Sequence, residues 1–324
     1  MKAVLCKAYG MPETLVIEEV ESPRPGKGQV VVDVKACGVN FPDTLIIQGK
    51  YQFKPDLPFS PGSEVAGIVK EVGEGVKGIS VGDHVIASTG WGGFAEEVVV
   101  DTDKIIPMPR GLDFTIASAF VLTYGTAYHA LKDRAQIQPG ETLLVLGAAG
   151  GVGIAAIEIG KHLGARVIAA ASNDEKLEVC RQHGASEVIN YASEDLRERI
   201  KQITAGPGID VVFDPVGGSY SEPALRSMAW KGRFLVIGFA GGEIPRIPLN
   251  LPLLKGCSIV GVFWGAFTGH EPQHNQENLK ELMSWLSQGI LKPHISATYP
   301  LERAADALYD MLNRKVLGKA VLVP

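Results

Sequence analysis

Glu141–Gly153, ETLLVLGAAGGVG, is the stretch whose reading decides the fold. Thr142–Leu146 is a short apolar run without charge, as a strand covered on both faces must be. Ala148-Ala149-Gly150-Gly151-Val152-Gly153 then breaks the run, and a helix starts at Gly151. The pattern is a dinucleotide-binding fingerprint with Ala in place of the first glycine. Gly150 lets the backbone approach a pyrophosphate, and Gly153 lets the helix sit close to the strand. The helix N-terminus, with its unpaired N–H groups and partial positive charge, faces the phosphates.

Downstream the pattern alternates. Strands are predicted at 166–171, 187–189, 209–213 and 233–237, and helices at 151–163, 174–182, 194–203 and 221–229. Such a series folds as a parallel sheet with right-handed crossovers, a doubly wound Rossmann domain. Ser258–Val262 reads as one more strand, at the sheet edge, where an exposed ladder suits pairing with a second copy. Upstream, short strands at 2–6, 15–20, 29–37, 62–72, 82–87 and 94–100 are separated by glycine turns. They imply a small β-rich domain, with one short helix from Phe41 and Pro42. Helices are expected at 114–120 and 125–133. The chain ends with helices at 275–288 and 301–312 and a strand at 320–322.

The totals agree with this plan. The 324 residues suffice for two domains, and hydrophobic (46%) and charged (21%) contents are those of a globular protein. A formal charge of −5 offers no electrostatic ground for binding nucleic acid or a membrane surface. No uncharged apolar run nears the ~20 residues that span a bilayer. The N-terminus MKAVLCKAYG lacks the pattern of a signal peptide. Cys6, Cys37, Cys180 and Cys257 fit no disulfide or metal spacing, so reduced thiols and a cytoplasmic location are expected.

Further motifs narrow the reading: CGVNFPD (37–43), PGSEVAGIV (61–69), VGDHV (81–85), GGFAEE (92–97), TAYHAL (126–131), INYASED (189–195) and DPVGG (214–218). With the glycine turn they resemble the medium-chain dehydrogenase/reductase superfamily, and most closely its zinc-independent NADPH:quinone oxidoreductase branch, which includes zeta-crystallin. The resemblance implies a GroES-like β-rich catalytic domain over 1–122 with 269–324, and a Rossmann domain over 123–268.

It also bears on metal. The zinc-dependent branch carries Cys where this chain has Asn40 and His where it has Ser63. An amide and a hydroxyl are poor substitutes for thiolate and imidazole. The interval 88–105, where a structural zinc lobe would lie, has no Cys, so no metal site is expected. His270-Glu271-Pro272-Gln273-His274 matches the HExxH zincin pattern. That motif requires both histidines on one helix, and Gly269 and Pro272 predict a loop instead.

The second strand of the Rossmann domain sets cofactor choice. NAD enzymes place an acid at its end to bind the ribose 2′-OH. Here Arg166–Ala171 runs into Ser172 and Asn173, with Lys176 one turn on, which favours NADPH. The resemblance assigns Ser172, Lys176 and Tyr191 to the 2′-phosphate. It assigns Ala149, Gly150, Gly151, Val152 and Gly153 to the pyrophosphate, and Thr123 and Thr126 to the pyrophosphate or nicotinamide ribose. Gly238, Phe239 and Ala240 line the cofactor, Phe263 and Gly265 cradle the carboxamide, and Lys319 reaches in from the terminal strand. Asn40 is expected beside nicotinamide and substrate, and Tyr51 as a hydrogen-bond donor to a quinone or enone oxygen. His129 reads as structural.

The expected activity is hydride transfer from NADPH to a quinone or related α,β-unsaturated carbonyl, without metal, in a homodimer. Two alternatives stand beside it: an enoyl-CoA reductase of the same superfamily, and a non-catalytic NADPH-binding protein.

Overall fold

The computed structural model describes residues 1–324, and the chain divides into two compact units. The first is Met1–Leu122 with Pro293–Pro324, and the second is Thr123–Lys292. The second crossing therefore lies at 292/293, not 268/269. The reason is the helix Pro272–Ser287, whose Leu279, Leu282, Trp285 and Leu286 are buried. Trp285 packs on Tyr128 and His162, so this helix belongs to the second unit.

The first unit is built around the strand Gln29–Val39. Its β-branched run Val30-Val31-Val32 is buried on both faces, as a central strand must be. It pairs antiparallel with Glu64–Val72, with Glu97–Asp101 and with the C-terminal strand Lys319–Val323. The seven-stranded sheet also holds His84–Ser88, Ile105–Pro107 and Ile295–Pro300. The last two escape a sequence reading. Ile105–Pro107 has three residues, and Ile295–Pro300 is an edge strand with no fully buried position.

The second unit holds a six-stranded, all-parallel sheet in the order 187–190, 166–171, 142–146, 209–214, 228–236, 258–261. This is the doubly wound arrangement. The order reverses between 142–146 and 209–214, where ligands enter open α/β sheets. Ser258–Gly261 closes the sheet at one edge, as expected. Helices Asn250–Lys255 and Trp264–His270 have no counterpart in the sequence pattern. The first leaves Leu253 and Leu254 largely in solvent, so it lacks the buried stripe that marks a helix in sequence.

Helix Phe114–Ala117 is shorter than expected. The next helix starts at Val121, not Gly125, and runs to Tyr128 before a π-helical segment, His129–Arg134. The HExxH residues straddle a break: His270 ends one helix, Glu271 (φ −131°, ψ 59°) interrupts, and Pro272 begins the next. His274 thus lies in a helical first turn rather than a loop, yet the two histidines do not share a helix. No helix is long and apolar enough to cross a membrane.

Candidate active site

The groups expected to face the nucleotide follow the carboxyl ends of strands in the parallel sheet. The turn after Thr142–Leu146 leads into the helix Gly151–His162, whose N-cap is Gly150, and no side chain caps it. The first-turn N–H groups are thus left for a ligand. A Cβ on Gly153 would stand 2.6 Å from the Ala148 carbonyl oxygen, so helix and turn touch there. A Cβ on Gly150 would meet only the Gly147 oxygen, at 3.5 Å, so the space over the turn is open. The glycine demanded by backbone conformation is Gly147 (φ +57°), one residue before the position where the fingerprint has Ala.

The other predicted positions follow the carboxyl ends of neighbouring strands. Ser172 follows Arg166–Ala171, and its hydroxyl accepts from Lys176 Nζ at 3.2 Å. Tyr191 follows Glu187–Asn190, and its ring lies 4.3 Å from that of Tyr220. Gly238, Phe239 and Ala240 follow Met228–Val236. Phe263 and Gly265 flank the start of the helix after Ser258–Gly261, both exposed. Thr123 is buried and Thr126 half-buried on their helix. Trp264 is core: its indole covers Gly125, where a Cβ would come within 2.8 Å of the ring. His129 is structural as well. Its Nδ1 lies 2.8 Å from Asp133 Oδ2, and its ring stacks on Phe267.

The first unit holds a buried polar cluster of its own. Sheet register brings it together. Ala320 pairs with Val39 and Val321 with Gly38, so Lys319 comes opposite Asn40. Cys37 pairs with Val65, which sets Glu64 beside Gly38. Gly38 must be glycine, because a Cβ would lie 2.2 Å from the Ser118 carbonyl oxygen. Lys319 Nζ donates to Asn40 Oδ1 at 2.5 Å and lies 3.4 Å from Glu64 Oε2. Asn40 Nδ2 donates to the Gly38 carbonyl at 3.2 Å and to Glu64 Oε2 at 3.3 Å. Glu64 Oε1 accepts from the Leu122 N–H at 2.9 Å.

Asn40 also N-caps the helix Phe41–Ile46, and the Asp43 carboxylate accepts the Asn40 backbone N–H at 2.7 Å. Burial pushes the Asp43 carboxyl up to about 7, against the opposing pull of its backbone hydrogen bonds and of Lys319. Asp43 is the residue that sequence reasoning misses. The available signal is its place three residues after an Asn N-cap, the spacing of a capping box. Tyr51 is half-buried, and its hydroxyl is held above the usual phenol range by burial and by the nearby Asp43 charge. Phe53, at its edge, is exposed.

Zinc does not fit this cluster. The donors at the two expected ligand positions are an amide and a hydroxyl, and a buried ammonium stands among them. A divalent cation there would be set against that positive charge. Ser63 Oγ is buried without a hydrogen-bond partner.

With this geometry in hand, comparison with known proteins defines the class. A zinc-binding dehydrogenase family model matches residues 151–288, and an alcohol dehydrogenase GroES-like domain model matches residues 26–110. Over 325 residues the chain is 42% identical to quinone oxidoreductase-like protein 2 homolog of Nematostella vectensis, covering 99% of this chain and 88% of that protein. It is 34% identical to human quinone oxidoreductase, covering 100% of this chain and 98% of that one. The Escherichia coli quinone oxidoreductase structure complexed with NADPH superposes with a TM-score of 0.94 at 32% identity, covering both chains fully. The chain belongs to the quinone oxidoreductase family, the zinc-independent branch of the medium-chain dehydrogenases/reductases.

Proposed function

We propose that this chain is an NADPH-dependent reductase that delivers hydride to quinones or related α,β-unsaturated carbonyls without a metal. The observation that carries the reading is the end of the second parallel strand. No acid stands there, and Ser172 and Lys176 are hydrogen-bonded to each other where a 2′-phosphate is expected. The uncapped helix N-terminus at Gly150–Gly153 supports the pyrophosphate assignment. The cofactor, when bound, supplies the hydride.

The chain's own residues bind, orient and adjust protons. Lys176 and Ser172 offer a cation and a hydroxyl to the 2′-phosphate, and Tyr191 a ring and hydroxyl beside them. The Tyr51 hydroxyl is a donor for the acceptor oxygen, where charge develops as hydride arrives. Its raised pKa keeps it protonated at neutral pH. The buried Asp43 near it changes protonation close to neutrality. Because a quinone is a strong electrophile, position contributes more than acid catalysis.

We further assign a homodimer paired through the free edge of Ser258–Gly261. Ile259 on that strand and Leu253 and Leu254 just before it are exposed apolar groups that such pairing would cover. Four free thiols, three of them buried, are the basis for assigning the cytoplasm.

The test is turnover with NADPH against 1,4-quinones, short enals and enoyl-CoA thioesters. Fastest oxidation of NADPH with quinones or enals supports the reading. Preference for enoyl-CoA moves the chain to enoyl reduction. Tight NADPH binding without any turnover makes it a binding protein.

A further inference from the structure

Two tyrosines from non-adjacent strands meet near the strand end that sets cofactor choice. Asn190 pairs with Ala171, and the Tyr191 N–H donates to the Ala171 carbonyl at 3.1 Å. Tyr191 and Ser172 therefore leave neighbouring strands side by side. Tyr220 arrives from elsewhere. It ends the short turn Gly218–Tyr220, after the strand Ile209–Asp214. Strands 166–171 and 142–146 lie between 187–190 and 209–214 in the sheet, a separation of roughly 14 Å. The ring centroids nonetheless stand 4.3 Å apart, with the rings tilted by 36°. Both tyrosines pack on the apolar cluster that includes Leu146 and Ala170, near the carboxyl ends of the intervening strands. The turn that carries Tyr220 is fixed by the DPVGG motif. Buried Asp214 accepts the Val216 and Gly217 N–H groups through Oδ1, both at 2.9 Å, and the Ser221 hydroxyl through Oδ2 at 2.6 Å. These bonds hold the chain on both sides of Tyr220, and Gly217 supplies the positive φ of +71° that the turn requires.

We propose that Tyr220 is a positioning residue for cofactor choice: its ring, set by the Asp214 turn, holds the Tyr191 ring in place at the strand end next to Ser172 and Lys176. This rests on the reading above, in which Tyr191 serves the 2′-phosphate of NADPH. A tyrosine ring turns about two side-chain torsions, and a ring packed against it removes that freedom before the nucleotide arrives. The ordering cost is then met in folding rather than in binding. Only a nucleotide that uses Tyr191 gains from this, so the effect falls on NADPH and not on NADH. The ring of Tyr220 carries the role, because the contact to Tyr191 is between ring faces and edges. Its hydroxyl is dispensable.

The experiment measures NADPH and NADH affinity by fluorescence titration in wild type, Tyr220→Phe, Tyr220→Leu, Tyr191→Leu and the double variant Tyr191→Leu/Tyr220→Leu. Tyr220→Gln takes the place of Tyr220→Leu where thermal melting shows that the leucine variant does not fold. The expected result is an NADPH affinity about threefold to tenfold weaker in Tyr220→Leu, with NADH affinity within about twofold of wild type. Tyr220→Phe keeps wild-type values. In the Tyr191→Leu background the second substitution costs nothing further, since a positioning residue has no effect once its partner is gone. Equal losses for both cofactors overturn the proposal in favour of a structural role. A loss that persists in the Tyr191→Leu background overturns it in favour of a direct contact between Tyr220 and the nucleotide. Wild-type NADPH affinity in Tyr220→Leu overturns it outright. A wild-type chain that binds NADH as tightly as NADPH defeats the 2′-phosphate assignment itself, and this role with it.

Discussion

His183 Nδ1 lies 2.7 Å from Glu158 Oε1, which ties the end of the helix Asp174–Gln182 to the fingerprint helix. The other Glu158 oxygen accepts from the Tyr124 hydroxyl at 2.8 Å and from the Lys292 N–H at 2.9 Å. One buried carboxylate thus joins four segments of the nucleotide-binding unit. Tyr124 is buried, and the burial and the neighbouring charge together raise its hydroxyl well above the usual phenol range. Glu158→Ala removes one buried carboxylate that three segments share as an acceptor, and a cost of about 3–5 kcal/mol is expected. Urea denaturation checks it. A loss under about 1 kcal/mol would mean that water replaces the carboxylate.

Gly153→Ala brings a Cβ within 2.7 Å of the Ala148 carbonyl carbon as well as close to its oxygen. Neither is a flexible side-chain end, so the helix start must move away from the turn. NADPH affinity is expected to drop at least about tenfold, since the phosphate-binding N–H groups move with the helix. Fluorescence titration gives the value, and an unchanged affinity would rule out the turn as the pyrophosphate site.

Lys176→Ala removes the cation beside Ser172. The ratio of kcat/KM for NADPH over NADH is expected to fall by about tenfold or more, a loss of roughly 1.4 kcal/mol or more. NADH turnover should change little. Equal losses with both cofactors would show that Lys176 supports the strand end rather than reading the phosphate.

Asp43 predicts a pH dependence of stability. Its carboxyl ionises at about 7 in the folded chain and near ~4 when unfolded. Between these values the folded chain holds a proton that the unfolded chain has released. The group's contribution is therefore fully present below about pH 4 and is lost as pH rises through about 7. The whole effect is roughly 4 kcal/mol. Urea unfolding from about pH 4.5 to about pH 8 should show this decline in wild type and a flatter profile in Asp43→Asn. Parallel profiles would mean that Asp43 is ionised throughout.

Ile259→Lys puts a charge on the free strand edge. Analytical ultracentrifugation should show a monomer, against a dimer for wild type. A variant that stays dimeric places the seam elsewhere.

Much of the fold is legible because its signals are local. Thr142–Leu146, Arg166–Ala171 and Asp174–Gln182 occur where periodicity and capping put them. The elements that escape a sequence reading lack such signals. Ile295–Pro300 gains its structure from one neighbouring strand, Lys319–Val323, and Asn250–Lys255 buries only Leu251.

The sequence alone determined the parallel sheet, the glycine turn and the absence of an acid after the second strand. Each is a property of residue type at short spacing. Tertiary structure decided what the polar residues do to one another. Asn40, Glu64 and Lys319 are remote in the chain and meet only because two antiparallel registers set them side by side. Asp43 is an ordinary capping residue by sequence, and only its burial moves its titration toward neutrality. Spacing along a chain dictates local conformation, but burial and charge depend on which distant strands pack around a group, and those govern its chemistry.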